Sequence, residues 1–472
     1  MTPEEFRKEG HRLIDWIADY RAGIAAQPVM AQVKPGEVKA ALPKSPPQEP
    51  EPFGAIIADL DRLIAPGLSH FQHPRFFGYF PANSDLASVL GDYVSTGLGV
   101  IGLSWQSSPA LTELEEVMTD WLRQMIGLGE AWRGVIQDTA STSTLVALIS
   151  AREKISNYAL AGKGLQDGGA PLVVYVSGHA HSSVDKAATL AGFGAANIRH
   201  VAVDDAFAMR PEALRAAIEA DRAAGRRPCA IVATVGTTTT TAIDPLAPIG
   251  AIAREFGVWL HVDVAMAGSA MILPECRWMF DGIEAADSLV LNPHKWLGAA
   301  FDCSAYFVQD PQHLVRVMST NPSYLQSSVD GAVVNYRDWG IPLGRRFRAL
   351  KLWFLIRSQG VAALQARLRR DIENARWLAE EVRQRPHWRV LAPVHLQTVC
   401  LRHEPPGLSG EALDRHTLAW ADAVNRSGGA YVTPATLDGR WMVRVSIGAL
   451  PTERDDVAAL WRLLQDCAES AS

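Results

Sequence analysis

From about residue 110 the chain alternates helical stretches with short runs of β-branched and aromatic residues, and this alternation constrains the fold more than any other feature. The runs are LVVYVS (172 to 177), IRHVAV (198 to 203), CAIVATV (229 to 235), VWLHVDV (258 to 264), DSLVLN (287 to 292) and SAYFV (304 to 308). Most are apolar on both faces, as strands are when helices cover both sides of their sheet. Helical stretches such as 211 to 225 and 246 to 256 lie between them. The spacing therefore predicts a layered α/β domain with a mostly parallel sheet. Ligands of such sheets bind beyond the carboxyl ends of the strands, which singles out the residues just after each run.

The flanks read differently. Thr2, Pro3 and Glu5 match an N-cap, a first-turn proline and a capping-box acid. Phe6, Leu13, Ile14, Ile17 and Tyr20 then recur near the helical period, so one apolar stripe requires a partner surface. Prolines at 43, 46, 47, 50 and 52 force an extended stretch, and a second helical pattern follows at about 53 to 65. Two helices and an extended arm enclose no core. Residues 1–85 are thus expected to form an arm that packs on a partner subunit, 86–359 the large domain, and 360–472 a smaller α+β domain. The last of these carries strands near 397 to 402 and 441 to 447.

Composition narrows the function classes. At roughly 150 residues per domain, 472 residues make about three units, and 48% apolar with 20% charged residues is an ordinary globular mixture. A net charge of −6 gives no reason to expect nucleic acid or anionic lipid as a partner. No apolar run approaches membrane-spanning length, and the opening MTPEEFRKEG lacks the apolar stretch of a signal peptide. The five cysteines stand far apart, without CxxC pairs or histidines at zinc-ligand spacing, so reduced core thiols and no metal site are expected. A cytoplasmic protein is the resulting expectation.

The chemistry lies at strand ends. Asp263 follows VWLHV, and Asn292-Pro293-His294-Lys295-Trp296 follows DSLVL. A lysine amine able to form a Schiff base and a carboxylate able to pair with a ring nitrogen are the two groups that pyridoxal phosphate needs. Taken singly, a solvated loop lysine and a helix-capping aspartate are the commoner uses of these types. The segment from Asp138 to Thr144 (DTASTST) leads into the helical run LVALISARE, which suits a phosphate at a helix N-terminus or a plain N-cap. Gly236-Thr237-Thr238-Thr239 follows another strand, and His179 and His181 follow LVVYVS, where one imidazole could stack on a flat ring. Gly97-Leu98-Gly99-Val100-Ile101-Gly102 spells GxGxxG, yet it follows a helical pattern with no βαβ unit around it, which argues against dinucleotide binding. The basic run from Gly344 to Arg348 reads as a helix start with a solvated face.

With lysine, acid, histidine and hydroxyl-rich turn in this order, the sequence resembles the group II pyridoxal-phosphate-dependent decarboxylases, most closely the aromatic-L-amino-acid (dopa) decarboxylases. HPRFFGYFP (73 to 81), SWQSSPALTELE (104 to 115), HSSVDKA (181 to 187), LHVD (260 to 263), NPHKW (292 to 296), FDCSA (301 to 305) and IPLGRRFRALK (341 to 351) carry the likeness. The resemblance implies the fold-type-I α/β architecture of aspartate aminotransferase and a homodimer with its active site at the subunit interface. It implies Lys295 as the Schiff-base lysine, Asp263 on the pyridinium nitrogen, and His181 stacked on the ring. Ala140, Ser141 and Asn292 would hold the phosphate, Thr238 would contact the cofactor, and His294 would support the lysine and phosphate region. Tyr324, in NPSYLQSS, matches the loop tyrosine that protonates the substrate carbon from the neighbouring subunit, and members with Phe there make aldehydes.

A substrate pocket of Tyr79, Phe80, Pro81, Ala82, Ile101, Leu103 and Gly344 follows from the same resemblance. Ala82, Leu103 and Met266 depart from the residues usual in the aromatic enzymes, while Gly344 resembles members that admit a larger ring. The pocket holds no cation for a side-chain carboxylate, which disfavours glutamate. The implied reaction is decarboxylation of an aromatic L-amino acid to its amine and carbon dioxide. Dopa-like substrates come first, then tryptophan, tyrosine or phenylalanine, with histidine decarboxylation or aromatic aldehyde synthesis as alternatives.

Overall fold

The computed structural model describes residues 1–165, 168–320, 323–325 and 327–471, without the side chain of Tyr324. Two compact units divide the chain: Met1–Pro81 with Asp371–Leu391 and Gln397–Ser472, and Ala82–Arg370 with Ala392–Leu396. The pattern of helices and strands in the sequence places boundaries at 85 and 359. The second of these falls on a kink at Gly360 (φ +71°) inside one long helix, Ala349–Gln384, which carries the chain onward past it.

The larger unit is built on seven strands: β1 (Arg133–Gln137), β2 (Leu172–Ser177), β3 (Ile198–Val201), β4 (Arg227–Thr234), β5 (Trp259–Asp263), β6 (Ser288–Leu291) and β7 (Ser304–Val308). Their order is β1-β7-β6-β5-β4-β2-β3. Pairing is parallel from β3 through β6, and β7 runs antiparallel to both of its neighbours. This is the fold-type-I α/β arrangement, and all residues of β5, β6 and β7 are buried. Helix Ala140–Ile155 and helix Ser183–Leu190 cover β2 and β4 with Leu148, Ala151, Val184 and Ala188 packed on Val174, Val176 and Val232. Strand β1, which lacks a β-branched run, escapes the sequence pattern. Its Gly134 lies so close to Phe307 that an added Cβ would stand 2.7 Å from the ring.

The GxGxxG string is the end of helix Leu86–Leu98, capped by Gly99 in the left-handed region. The basic run from Gly344 to Arg348 is not a helix start. The helix begins at Ala349, and Arg345 is buried rather than solvated.

The other unit holds an antiparallel sheet of β8 (Trp388–Val390), β9 (Thr398–His403), β10 (Thr433–Leu437) and β11 (Arg440–Ser446), ordered β10-β11-β9-β8. Helices Gly410–Arg426 and Arg454–Ser470 accompany it. The N-terminal helix spans Pro3–Gly23 with the Thr2–Glu5 capping box in place, and none of its residues is buried. The following segment is tied to the C-terminal part of the same unit: Val29 donates to the Gly428 carbonyl at 2.9 Å and Phe77 to that of Tyr431 at 2.8 Å. Among the described residues no helix is long and apolar enough to cross a membrane.

Candidate active site

The carboxyl ends of β4, β5 and β6 lie side by side, because Thr234 pairs with Asp263 and Asp263 with Val290. Asp263, the last residue of β5, is buried, and its Oδ1 accepts the Ala265 N–H at 2.9 Å. After β6 the chain turns at Asn292, whose N–H reaches the Ala265 carbonyl at 2.9 Å, so the two strand ends are laced together. Lys295 follows in the wide turn Pro293–Leu297, half-buried, with its N–H on the Asn292 carbonyl at 2.9 Å.

His181 lies after β2 on the same edge, its Nδ1 2.8 Å from the Ser183 hydroxyl. Its imidazole is exposed, yet its pKa is lowered by surrounding protein, with Asp263 opposing and Lys295 reinforcing the shift. The two charges that act on it are the expected acid and lysine. His181, Asp263 and Lys295 thus share one electrostatic neighbourhood although they are scattered over 115 positions of sequence.

His294 is buried beside Lys295. Its Nδ1 accepts the Cys303 N–H at 2.9 Å, and its ring lies 4.8 Å from that of Phe301. Burial, aided by the Lys295 charge, lowers its pKa to about 3, so it is a neutral positioning group. Ala140 and Ser141 begin helix Ala140–Ile155, where Thr139 provides no side-chain cap. Thr238 is half-buried in the turn after β4; neighbouring Thr237 shapes that turn by accepting the Ala242 N–H at 2.9 Å.

Ile101 and Gly344 are brought together: a Cβ on Gly344 would stand 4.0 Å from Ile101 Cγ2, with nothing nearer. Leu103 is half-buried, its carbonyl held by the Arg337 N–H at 2.9 Å, and Ala82 is half-buried as well. Tyr79, Phe80 and Pro81 belong to the smaller unit. There Tyr79, at φ +51°, takes the Thr433 hydroxyl on its N–H at 2.7 Å, and the Arg444 guanidinium lies 4.9 Å over Phe80. Tyr324 lies in the short turn Ser323–Leu325, and its side chain is outside the described residues.

The pyridoxal-dependent decarboxylase conserved domain matches residues 35–404. This chain belongs to that family. Tryptophan decarboxylase TDC2 of Camptotheca acuminata is 43% identical to it, over 100% of this chain and 96% of the relative. A phenylacetaldehyde synthase of Arabidopsis thaliana is 41% identical, over 99% and 96%. The crystal structure of Catharanthus roseus tryptophan decarboxylase in complex with L-tryptophan superposes with a TM-score of 0.93 at 40% identity, covering 100% of this chain and 99% of that one.

As a pyridoxal-dependent decarboxylase, the chain has residues that fit the cofactor. The buried side-chain Oδ1 of Asn292 has no hydrogen-bond partner among the described residues, a demand that the protein leaves to another group. The start of helix Ala140–Ile155, without a side-chain cap, offers backbone N–H groups and the positive end of a dipole.

Several supports of this decarboxylase site have no local sequence signal. Asn83 donates its side-chain amide to the Lys295 carbonyl at 3.1 Å, and Ser88 accepts the Ala300 N–H at 2.8 Å. Lys351, wholly buried, donates to the carbonyls of Phe301 and Asp302 at 3.1 and 3.2 Å and faces Asp92 and Asp302. Arg348 grips both oxygens of Asp302 at 3.1 and 3.0 Å.

Proposed function

We propose that the protein decarboxylates an aromatic L-amino acid to its amine and carbon dioxide. Pyridoxal phosphate, when bound, supplies an electron-accepting ring for the pair left on Cα as carbon dioxide departs. Lys295 Nζ would hold the cofactor's aldehyde carbon and yield it to the substrate amine. The Asp263 carboxylate would keep a proton on the ring nitrogen by opposite-charge proximity. His181 would lie flat against the ring, and Thr238 would touch it. The N–H groups of Ala140 and Ser141, with Asn292, would hold the phosphate, with His294 behind them. The hydroxyl of Tyr324 would deliver a proton to Cα.

The observation that best supports this reading is the shared electrostatic neighbourhood of His181, Asp263 and Lys295 at the carboxyl edge of the sheet. Gly344 lacks a Cβ where one would just touch Ile101, leaving about a methyl group's room at that wall, and the pair is without a cation of its own, which favours phenolic, catecholic or indole side chains over acidic ones. The test is carbon dioxide and amine release from purified protein with pyridoxal phosphate across L-dopa, L-tryptophan, L-tyrosine, L-phenylalanine, L-histidine and L-glutamate. Turnover confined to the aromatic members is expected; turnover of glutamate alone would overturn the reading.

A second reading, aldehyde synthesis, is favoured by the likeness to the Arabidopsis enzyme. Tyr324 argues for the amine, since Phe in its place accompanies aldehyde formation, and an assay for aldehyde and ammonia separates the two.

A homodimer is part of the proposal. Leu86, Leu90, Tyr93, Val94 and Leu98 recur at helical spacing and are exposed along one face of helix Leu86–Leu98, as are Phe6 and Ile14 on the first helix. Light scattering is expected to give twice the chain mass. A cytoplasmic location accords with the five free cysteines, four of them buried.

A further inference from the structure

The two sides of the proposed ring pocket are joined through Gly102 and Arg345, the neighbours of Ile101 and Gly344, and Arg345 is held there by a buried ion pair with Glu115. Glu115, on helix Pro109–Ile126, is 1% exposed, and Arg345 is 7% exposed. Arg345 Nη2 donates to Glu115 Oε1 at 2.7 Å and to the Ile136 carbonyl at 2.8 Å, while Nη1 reaches Glu115 Oε2 and the Gly102 carbonyl, each at 3.3 Å. Glu115 Oε1 also accepts the Ile136 N–H at 2.9 Å. Gly102 returns its own N–H to the Arg345 carbonyl at 2.8 Å. Residues 102 and 345 are therefore bonded through both backbone and side chain, and both are referred to strand β1 through Ile136.

Burying an ion pair is a poor way to gain stability, because desolvation offsets most of the attraction. What a forked guanidinium supplies is direction: a planar donor set that fixes several acceptors at once. Here those acceptors belong to the loop carrying Ile101 and Leu103, to β1 and to the helix behind them, while Gly344 precedes the arginine itself. Neither Glu115 nor Arg345 is free to meet substrate. Their effect reaches the pocket as the distance between Ile101 and Gly344, where one methylene of room discriminates ligands by about 10- to 200-fold.

We infer that the Glu115–Arg345 pair is a positioning device that sets the gap between Ile101 and Gly344 and so governs selection between a bicyclic indole and a monocyclic phenolic side chain. The inference rests on the proposed decarboxylation of aromatic amino acids. Loosening the pair widens the gap and favours the larger ring.

The test compares wild-type holoenzyme with Glu115→Gln, Arg345→Lys and Gly102→Ala, measuring kcat and KM for L-tryptophan and L-tyrosine, the visible cofactor band and the melting temperature. In the two ion-pair variants, which break the forked contact, the tryptophan-to-tyrosine ratio of kcat/KM is expected to rise by about tenfold, mainly through KM, with the cofactor band kept. Gly102→Ala leaves both side chains of the pair intact. Its Cβ would stand 3.4 Å from the Phe347 ring and 3.6 Å from the Arg345 carbonyl oxygen, so a smaller rise is expected. Equal losses for both substrates, or a ratio held within about twofold, would overturn the inference and leave the pair purely structural. If the two ion-pair variants fail to fold, the ratio in Gly102→Ala decides alone. If the wild type turns over no aromatic amino acid, L-dopa and L-phenylalanine included, the proposed reaction fails and takes the inference with it; if it turns over tryptophan or tyrosine and the ratio stays fixed, only the inference fails.

Discussion

Asn83 holds the main chain of Lys295: its side-chain amide donates to the lysine carbonyl at 3.1 Å from a buried position 212 residues earlier in sequence. The lysine's own flexibility lies in its side chain, so its reach depends on a fixed backbone. Replacing Asn83 with Ala leaves a buried carbonyl short of a donor, a loss of about 1–3 kcal/mol. The expected outcome is a lower melting temperature and weaker retention of pyridoxal phosphate, measured by equilibrium dialysis. Unchanged cofactor affinity would show that the contact does not orient the lysine.

Asp263 is buried at the end of β5 with one oxygen on the Ala265 N–H, which leaves the carboxylate oriented. In Asp263→Ala a ring cation would lose its partner, a deficit of roughly 3–4 kcal/mol, or about 10²- to 10³-fold in kcat. Steady-state kinetics at saturating cofactor checks this, and near-normal turnover would argue against the pairing.

Two buried histidines make stability depend on pH. Burial lowers the pKa of His261 to about 4 and of His294 to about 3, below the ordinary 6.5. As pH falls below 6.5 the unfolded chain takes up protons that the native state refuses, so their contribution to stability is present above that value and is lost toward pH 4. These two contribute a slope approaching about 2.7 kcal/mol per pH unit within that window, beside the contributions of His73 and His403, whose pKa burial also lowers to about 4. Urea unfolding at a series of pH values measures it. His261→Gln, which removes one titrating group, is expected to lower the slope by about 1.4 kcal/mol per pH unit; an unaltered slope would assign the acid sensitivity elsewhere.

Tyr324→Phe removes the hydroxyl proposed to protonate Cα. Products from L-tryptophan or L-dopa, assayed in air, are then expected to shift from amine toward aldehyde and ammonia, with dioxygen accepting the two electrons and leaving as hydrogen peroxide. An unchanged amine yield, measured by chromatography, would exclude the tyrosine as the donor.

How much of this was legible in the sequence follows from the range of the interactions. LVVYVS and SAYFV are strands β2 and β7 with the same bounds, because a buried strand writes its own apolar run. The Thr2–Glu5 capping box is legible for the same reason, being local over three residues. Strand ends point to ligands in any open α/β sheet, so Asp263, Lys295 and His181 could be picked out before their proximity was known. Strand β1 left no such trace, since RGVIQ owes its place to Phe307 fitting over Gly134. Arg345 reads as solvated in the sequence because its partner lies 230 positions away, and Asn83, 212 positions from Lys295, carries no local signal for a like reason. Sequence spacing reports short-range order; the supports behind a site are long-range.

The most direct measurement is borohydride reduction of the holoenzyme followed by peptide mapping. A pyridoxyl group is expected on Lys295, within the peptide that contains NPHKW, with the visible band lost in Lys295→Ala. A label on any other lysine, or a band that survives that substitution, would contradict the assignment of this lysine as the cofactor's anchor.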